Sequence, residues 1–386
     1  MFLSKAHLTV VTGTFGKTST TRALKAVLFG HNNPTTNWNP ESPVALELLR
    51  TPPRVRRMVL EIGIDRPGRM NSFAWMLKPD AAIVTSIGSE HHPSFGTLEA
   101  IRNEKAKIVK ALPSSGLVVL NGDSPNVLWM KNQTVAKVFT FGMGPGNDVQ
   151  ARDVHMDWPR GTKMVIHAFG RSHPFSTPLL GWPMVYAVLG ATAAALGQGF
   201  SLEKIARRLE LLHPTSARLE SIALSNGAWL IRDEFKSSFE TVEAALDVMK
   251  EIPAKRCIII LGRVFEPKGN IEKIYRHLGA RTGQCAEYVV FIGEKNLWMP
   301  FAEGASQGGL ERDKIFRVHK AFPDALEALP SPLGPGDVIL IKGQSEQRLD
   351  RIGLALTGRR VHCSVRECTA PVTLRCDDCK MLSRNW

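Results

Sequence analysis

Ten residues into the chain stands Val10-Val11-Thr12-Gly13-Thr14-Phe15-Gly16-Lys17-Thr18-Ser19-Thr20, and its residue types suit the handling of phosphate. Gly13 and Gly16 let the backbone come close to an anion, with Thr14 between them. A helix opening at Lys17 would aim its first N–H groups and its positive dipole end at that anion. The Lys17 ammonium can neutralise phosphate oxygens, and the Thr18 hydroxyl, followed by Ser19, can ligate Mg²⁺. The spacing is Gly-x-x-Gly-Lys-Thr, with Val11 where the common P-loop pattern has its first glycine. The alternative is a chance glycine turn before a helix. The coincidence of strand, glycines, Lys-Thr and helix favours a bound nucleoside triphosphate with Mg²⁺.

Such a cradle must be held by a strand before it and a helix after it, and the flanking sequence supplies both. Apolar runs at Leu8–Val11, Met58–Ile62, Ala81–Ile87, Leu117–Leu120 and Val138–Phe141 read as strands. Helical patterns fall at Lys17–Phe29, Thr97–Leu112 and Pro183–Leu196. Alternation of this kind predicts an α/β fold, with a doubly wound, mostly parallel sheet. The stretch 149–175 alternates apolar and polar residues without a helix and predicts antiparallel edge strands.

A second alternating set begins near Arg218. Its strand candidates are Trp229–Ile231, Cys257–Leu261, Tyr288–Ile292, Ile315–Val318 and Val338–Ile341, and its helices Phe239–Met249, Ile271–Thr282 and Gln347–Leu356. The expected organisation is an ATP-binding domain over 1–214, a Rossmann-like α/β domain over 215–360, and a cysteine-rich tail over 361–386. The joint falls in Leu212-His213-Pro214-Thr215-Ser216, after a helix at Leu202–Leu212.

The chain has 386 residues, 44% of them apolar and 22% charged, as expected of a globular protein with two domains and an appendage. No apolar run approaches the roughly 20 residues that span a bilayer. The first strand begins almost at once, leaving no room for a signal peptide, so the expected location is cytoplasmic, with reduced thiols and ATP at hand. The formal charge is +13, but the cations are scattered, and Arg54, Arg56 and Arg57 read as a solvated loop. An acidic small molecule or protein therefore suits the charge as well as nucleic acid does. A nucleic-acid-associated ATPase would need a concentrated basic stripe, which the sequence lacks, so no nucleic-acid partner is expected.

The tail carries four of the six cysteines as Cys363-x4-Cys368-x7-Cys376-x2-Cys379. The Cys376–Cys379 knuckle has the spacing of a zinc ribbon, and four thiolates would close a tetrahedral, structural Zn²⁺ site. Redox-active or unpaired thiols are the alternative. Cys257 reads as core, and Cys285 has no evident role.

Further pieces follow the phosphate cradle in a fixed order. They are Glu61-Ile62-Gly63, Ile87-Gly88-Ser89-Glu90-His91, Phe95-Gly96-Thr97-Leu98-Glu99 running on to Lys105, and Asn121-Gly122-Asp123. Then come Ser216-Ala217-Arg218-Leu219-Glu220, Asp233 within Ile231-Arg232-Asp233-Glu234-Phe235, and Ile341-Lys342-Gly343. With the early Asn37-Trp38-Asn39-Pro40 segment, this set resembles the Mur ligase superfamily over roughly residues 5–355, and within it the MurF branch, which adds a dipeptide.

The resemblance implies an ATP-dependent ligase that activates a carboxylate as an acyl phosphate and lets an amine attack it. It gives Lys17 a phosphate contact, Thr18 and Glu61 one Mg²⁺, and His91 a second Mg²⁺. Lys105 matches a lysine that is carbamylated in the family. Asn121 and Asp123 match its adenine-side motif, although the bare pattern could equally be an Asx turn. Arg218, towards phosphate, and Asp233, towards the nucleotide, would come from the second domain as it closes, and closure would keep water from the acyl phosphate. Lys342 is either a substrate contact or a solvent-exposed lysine.

Three departures from the family pattern shape the expectation. The sequence starts at the cradle, without the family's domain for a UDP-sugar, so an ordinary UDP-muramyl substrate is not expected. Phe235-Lys236-Ser237-Ser238-Phe239 stands where the MurF branch has Tyr-Asn-Ala-Asn-Pro, which suggests a remodelled amine pocket. Arg263 replaces an acidic residue, suiting an acidic substrate or lying on the surface. The substrates would be a small carboxylate and an amine such as an amino acid or peptide. An amidating subunit served by a glutaminase partner, and a non-catalytic regulatory protein of the same fold, are the alternatives. The presence of Glu61, His91 and Lys105 together speaks against a degenerate site.

Overall fold

The computed structural model describes residues 6–30, 41–52, 54–89, 92–319, 322–363, 365, 368–371 and 374–382. The chain divides into two compact units, Met1–His213 and Pro214–Trp386.

The first unit begins with β1 (His7–Thr12), α1 (Lys17–Phe29), α2 (Glu41–Arg50), β2 (Arg57–Glu61), α3 (Arg69–Leu77) and β3 (Ala81–Val84). It continues with α4 (His92–Phe95), α5 (Leu98–Lys110), β4 (Leu117–Asn121), α6 (Pro125–Leu128) and β5 (Lys137–Gly142). Then come β6 (Val149–Asp157), β7 (Gly161–Ala168), β8 (Arg171–Thr177), α7 (Trp182–Gly197) and α8 (Leu202–Glu210). The eight strands form one sheet in the order β2-β1-β3-β4-β5-β6-β7-β8. Pairing is parallel from β2 to β6 and antiparallel across β6, β7 and β8.

Val10, Val11, Ile83 and Val119 are fully buried. Helices cover both faces of the parallel strands, which is why those strands read as unbroken apolar runs rather than alternating ones. α7 is apolar nearly all round and packs on α1, and Gly190 leaves room there for Phe141 and Thr20. β3 ends at Val84, three residues earlier than the apolar pattern suggests. The Thr85 and Ser86 hydroxyls leave the strand ladder to bind the cradle.

The second unit contains β9 (Glu220–Ala223), β10 (Trp229–Asp233), α9 (Phe239–Glu251), β11 (Arg256–Leu261), α10 (Ile271–Gly283) and β12 (Tyr288–Ile292). They are followed by α11 (Lys295–Gln307), β13 (Ile315–Val318), α12 (Asp324–Glu327), β14 (Asp337–Lys342) and α13 (Asp350–Leu356). Its six strands run in the order β13-β12-β11-β14-β10-β9, parallel except for the edge pair of β9 and β10. The parallel register places Asp233 beside Lys342, and Lys342 beside Leu261, at neighbouring strand ends. α13 starts three residues later than its apolar pattern suggests, because Arg348 takes a left-handed φ of 53°.

Within this unit the C-terminal segment packs back on α13, where Cys376 and Leu382 form a small core with Leu354. Among the described residues no helix is long and apolar enough to cross a membrane.

Candidate functional site

The cradle is built from the loop between β1 and α1. Gly13 has φ 148°, and a Cβ there would stand 2.0 Å from Thr85 Oγ1 and 2.9 Å from the Ser86 amide nitrogen. Only glycine fits. Gly16 takes a left-handed φ of 82° at the N-cap of α1, which has no capping side chain and no acidic residue in its first turn. The first N–H groups of a helix lack intrahelical partners, so this end is left for an anion.

The residues after β3 fix the loop. The Thr14 amide donates to the Ser86 carbonyl at 2.9 Å, and the Phe15 amide donates to Ser86 Oγ at 2.8 Å. Thr85 Oγ1 donates to the Phe15 carbonyl at 2.6 Å, and the Gly88 amide donates to Thr14 Oγ1 at 2.9 Å. The sequence reading missed Thr85 and Ser86. Their signal was a Thr-Ser pair ending an otherwise apolar strand.

Two ammonium groups converge on this loop. Lys17 Nζ donates to the carbonyls of Gly13 at 2.9 Å and Thr14 at 2.7 Å. Lys105 Nζ, on α5 and 3% exposed, donates to the same Gly13 carbonyl at 3.0 Å. Cations that share one acceptor repel each other, and a polyanion beside them relieves that repulsion.

Thr18 lies in the first turn of α1, followed by the buried Ser19. Glu61, 6% exposed, ends β2 beside Val11 of β1. His91 lies outside the described residues.

Asn121 belongs to the same construction. Its Nδ2 donates to the Thr85 carbonyl at 2.9 Å, and its Oδ1 accepts from the Asp123 amide at 3.1 Å. Asp123 faces a different set of partners. It accepts from the Met143 and Gly144 amides, from Asn147 Nδ2 at 2.9 Å and from the Tyr186 hydroxyl at 2.9 Å. Burial, with the Asp123 charge beside it, holds the Tyr186 hydroxyl protonated far above its usual range. Asp123 thus ties the turn after β5 to α7.

In the second unit, Arg218 stands on a constrained loop. Ala217 and Leu219 on either side both take left-handed conformations, with φ 56° and 50°. Glu220 Oε2 accepts from Ser216 Oγ at 3.0 Å and from the Ala217 amide at 3.1 Å. Asp233 Oδ1 accepts from the Leu219 amide at 3.3 Å. The Arg218 guanidinium lies 4.7 Å from the centre of the Phe235 ring.

Asp233 Oδ2 also accepts from Lys342 Nζ at 2.7 Å, and Lys342 donates to the Lys236 carbonyl at 2.8 Å. Lys342 is 1% exposed, so the solvent-exposed reading of this lysine is corrected. Its burial arises from a carboxylate 109 residues away, to which no local pattern points. Burial pushes the Asp233 carboxyl up and the Lys342 amine down, and each charge opposes the other's shift.

Among the described residues no three His, Cys, Asp or Glu side chains are grouped to hold a metal ion, so the zinc expected on Cys363, Cys368, Cys376 and Cys379 is not shown. Cys376 is 7% exposed, and burial raises its thiol well above the usual range. Cys257 is buried in β11, and burial pushes its thiol up to about 12.

The sequence model of the Mur ligase middle domain matches residues 11–195. The chain is 29% identical, over 346 residues, to the UDP-N-acetylmuramoyl-tripeptide–D-alanyl-D-alanine ligase of Bacillus subtilis, covering 89% of this chain and 74% of that protein. To the enzyme of the same name from Escherichia coli it is 24% identical over 359 residues, covering 91% and 77%. Among solved structures, a MurF from Acinetobacter baumannii superposes with a TM-score of 0.80 at 21% identity, covering 92% of this chain and 78% of that one. A MurF ligase from Thermotoga maritima in complex with ADP gives 0.79 at 20% identity, covering 92% and 80%.

Proposed function

We infer that this chain, a member of the Mur ligase superfamily with that family's middle domain over residues 11–195, is an ATP-dependent ligase forming amide bonds through an acyl phosphate. The observation that carries the reading is the cradle. A loop that needs glycine at position 13 leads into an uncapped helix N-terminus, and two lysine ammonium groups meet at one of its carbonyls. Such a loop fits the β- and γ-phosphates of ATP. Thr18 and Glu61 present hard oxygen donors suited to Mg²⁺, with His91 assigned to a second ion. The metal would supply charge neutralisation on the transferring phosphoryl group.

In the first step a carboxylate oxygen of the acid attacks the γ-phosphorus, the bond to the β-phosphate oxygen breaks, and ADP leaves. Lys17 moves from the loop carbonyls to the phosphoryl oxygens. In the second step the amine nitrogen attacks the acyl carbon, inorganic phosphate leaves, and the nitrogen loses a proton. Carbamylation of Lys105 would exchange a cation beside Lys17 for an anion, which ends the repulsion at the Gly13 carbonyl. Arg218 is the residue of the second unit assigned to nucleotide phosphate, held in place by Asp233.

The substrates are an organic acid and an amine, the amine being an amino acid, a short peptide or ammonia. The relatives' names make UDP-N-acetylmuramoyl-tripeptide and D-alanyl-D-alanine one pair to test among others. The experiment is Mg²⁺-dependent ADP release against a panel of acids, with hydroxylamine as trapping amine. A hydroxamate formed from one acid is the expected product, and ADP release that yields no hydroxamate from any acid would overturn the acyl-phosphate route. Lys17→Ala should slow turnover about 100-fold or more, the order expected when a charge-stabilising donor is lost.

A further inference from the structure

We propose that the C-terminal segment is a strap that positions Arg218, with Arg375 and Asp377 as its positioning residues. The inference rests on the reading of Arg218 as a nucleotide contact.

The segment is held by arginines of the unit it packs on. Arg348 donates to the carbonyls of Leu374, Ala370 and Pro371, and Arg351 donates to that of Val365. The Cys376 amide donates to Asp350 Oδ2 at 2.8 Å. At its centre lies a buried charge network. Arg232, whose side chain is 4% exposed, binds Asp377 with two parallel hydrogen bonds of 2.8 and 3.1 Å. The same guanidinium binds Glu234 Oε1 at 2.8 Å, and Arg375 bridges Asp377 at 2.9 Å and Glu234 at 3.5 Å. The strap thus brings one cation and one anion to a pair already buried in β10 and its end.

Glu234 lies between the two residues that hold the Arg218 loop. Asp233 before it accepts from the Leu219 amide, and Phe235 after it lies against the Arg218 guanidinium. Ala217, Glu234, Phe235, Arg348 and Arg375 line one cleft, so the strap and the loop border the same small space. Two non-glycine residues in left-handed backbone, Ala217 and Leu219 flanking Arg218, persist only where the surroundings dictate them. The strap, through Glu234, is part of those surroundings. An Arg375–Asp377 pair that served only to cover the fold would have no reason to act on turnover through Arg218.

The test is a double-mutant cycle in the full chain. Asp377→Asn keeps the shape and removes the charge, and it should lower kcat for ADP release about tenfold while moving KM for ATP less than twofold. Arg375→Gln should act in the same direction. In an Arg218→Ala background, Asp377→Asn should produce no further loss, because the residue it positions is gone.

A kcat unchanged in Asp377→Asn beside a slowed Arg218→Ala enzyme overturns the strap and leaves the role of Arg218 standing. Additive losses also overturn the strap. An Arg218→Ala enzyme at full speed defeats the reading of Arg218 and the strap with it. A second readout needs no substrate: trypsin cleavage after Arg218, followed by mass spectrometry on chains with equal melting midpoints, should rise about fivefold in Asp377→Asn. An unchanged rate overturns the proposal.

Discussion

At Gly13 a single added carbon decides whether the cradle exists. A Cβ there would overlap Thr85 Oγ1 at 2.0 Å, and the backbone φ of 148° disfavours any L side chain. Gly13→Ala must therefore push Thr85 away, and with it one of the two hydroxyls that secure the Phe15 carbonyl. We expect ATP binding measured by calorimetric titration to fall below detection, with a folded far-ultraviolet circular dichroism spectrum.

Glu104 gives a pH test. Burial alone would push its carboxyl up, but hydrogen bonds from Lys107 and from the Met70 and Gly68 amides outweigh this and hold it below its usual 4.5. A depressed folded value adds stability above pH 4.5, and that stability is lost as pH falls through the folded value. Glu104→Gln should cost about 1 kcal/mol at pH 7 and flatten the fall in melting midpoint below pH 4.5, both read by calorimetry.

Lys17 and Thr18 were legible in the sequence because a phosphate loop is a local object. The partners of Asp123 were not, since Tyr186 joins it from 63 residues away.

Helix α11 was absent from the sequence reading, and its own composition explains why. Pro300 and Gly304 are poor helix formers, so the segment Lys295–Gln307 does not announce a helix. The structure shows what the glycines accomplish. A Cβ on Gly279 would stand 2.0 Å from the Phe301 carbonyl oxygen, and one on Gly304 would stand 1.9 Å from that of Arg276. Gly283, which ends α10, and Gly308, the C-cap of α11, face the carbonyls of Ala305 and Ala280 at 2.2 and 2.3 Å. α10 and α11 therefore meet backbone to backbone, and no flexible side chain can yield to an intruding methyl.

The strands were easier, because their buried faces leave an apolar run in the sequence, whereas close helix contact leaves only small residues. Gly304→Ala should destabilise the second unit by about 2–3 kcal/mol, the upper range for overpacking. The control is Gly334→Ala, where nothing lies within 4 Å and the effect on the melting midpoint should be slight. Equal midpoints for the two variants would show that the helices can separate without penalty.

At the scale of the molecule, the alternation of strands and helices made two α/β sheets legible, while no local pattern pointed to the arginine network that seats the tail. Each unit has its own apolar cluster. Leu60, Phe73, Ile101 and Val118 belong to one, and Leu230, Ile260, Ile339 and Ile352 to another. A unit with a continuous core and a sheet of eight strands has what independent folding requires. Residues 1–213, expressed alone, should therefore give a cooperative thermal transition.

Every hydrogen bond described for the cradle, from Ser86, Thr85, Lys17, Lys105 and Asn121, is made within that stretch. The fragment should accordingly bind ATP with Mg²⁺ in the absence of the second unit. It should not release ADP at the rate of the full chain, because Arg218 and Asp233 are missing from it. Titration calorimetry and an ADP-release assay on the fragment separate the two statements. Full turnover by residues 1–213 would remove Arg218 from the reaction, and a fragment that folds without binding nucleotide would show that the cradle needs more than its own unit to form.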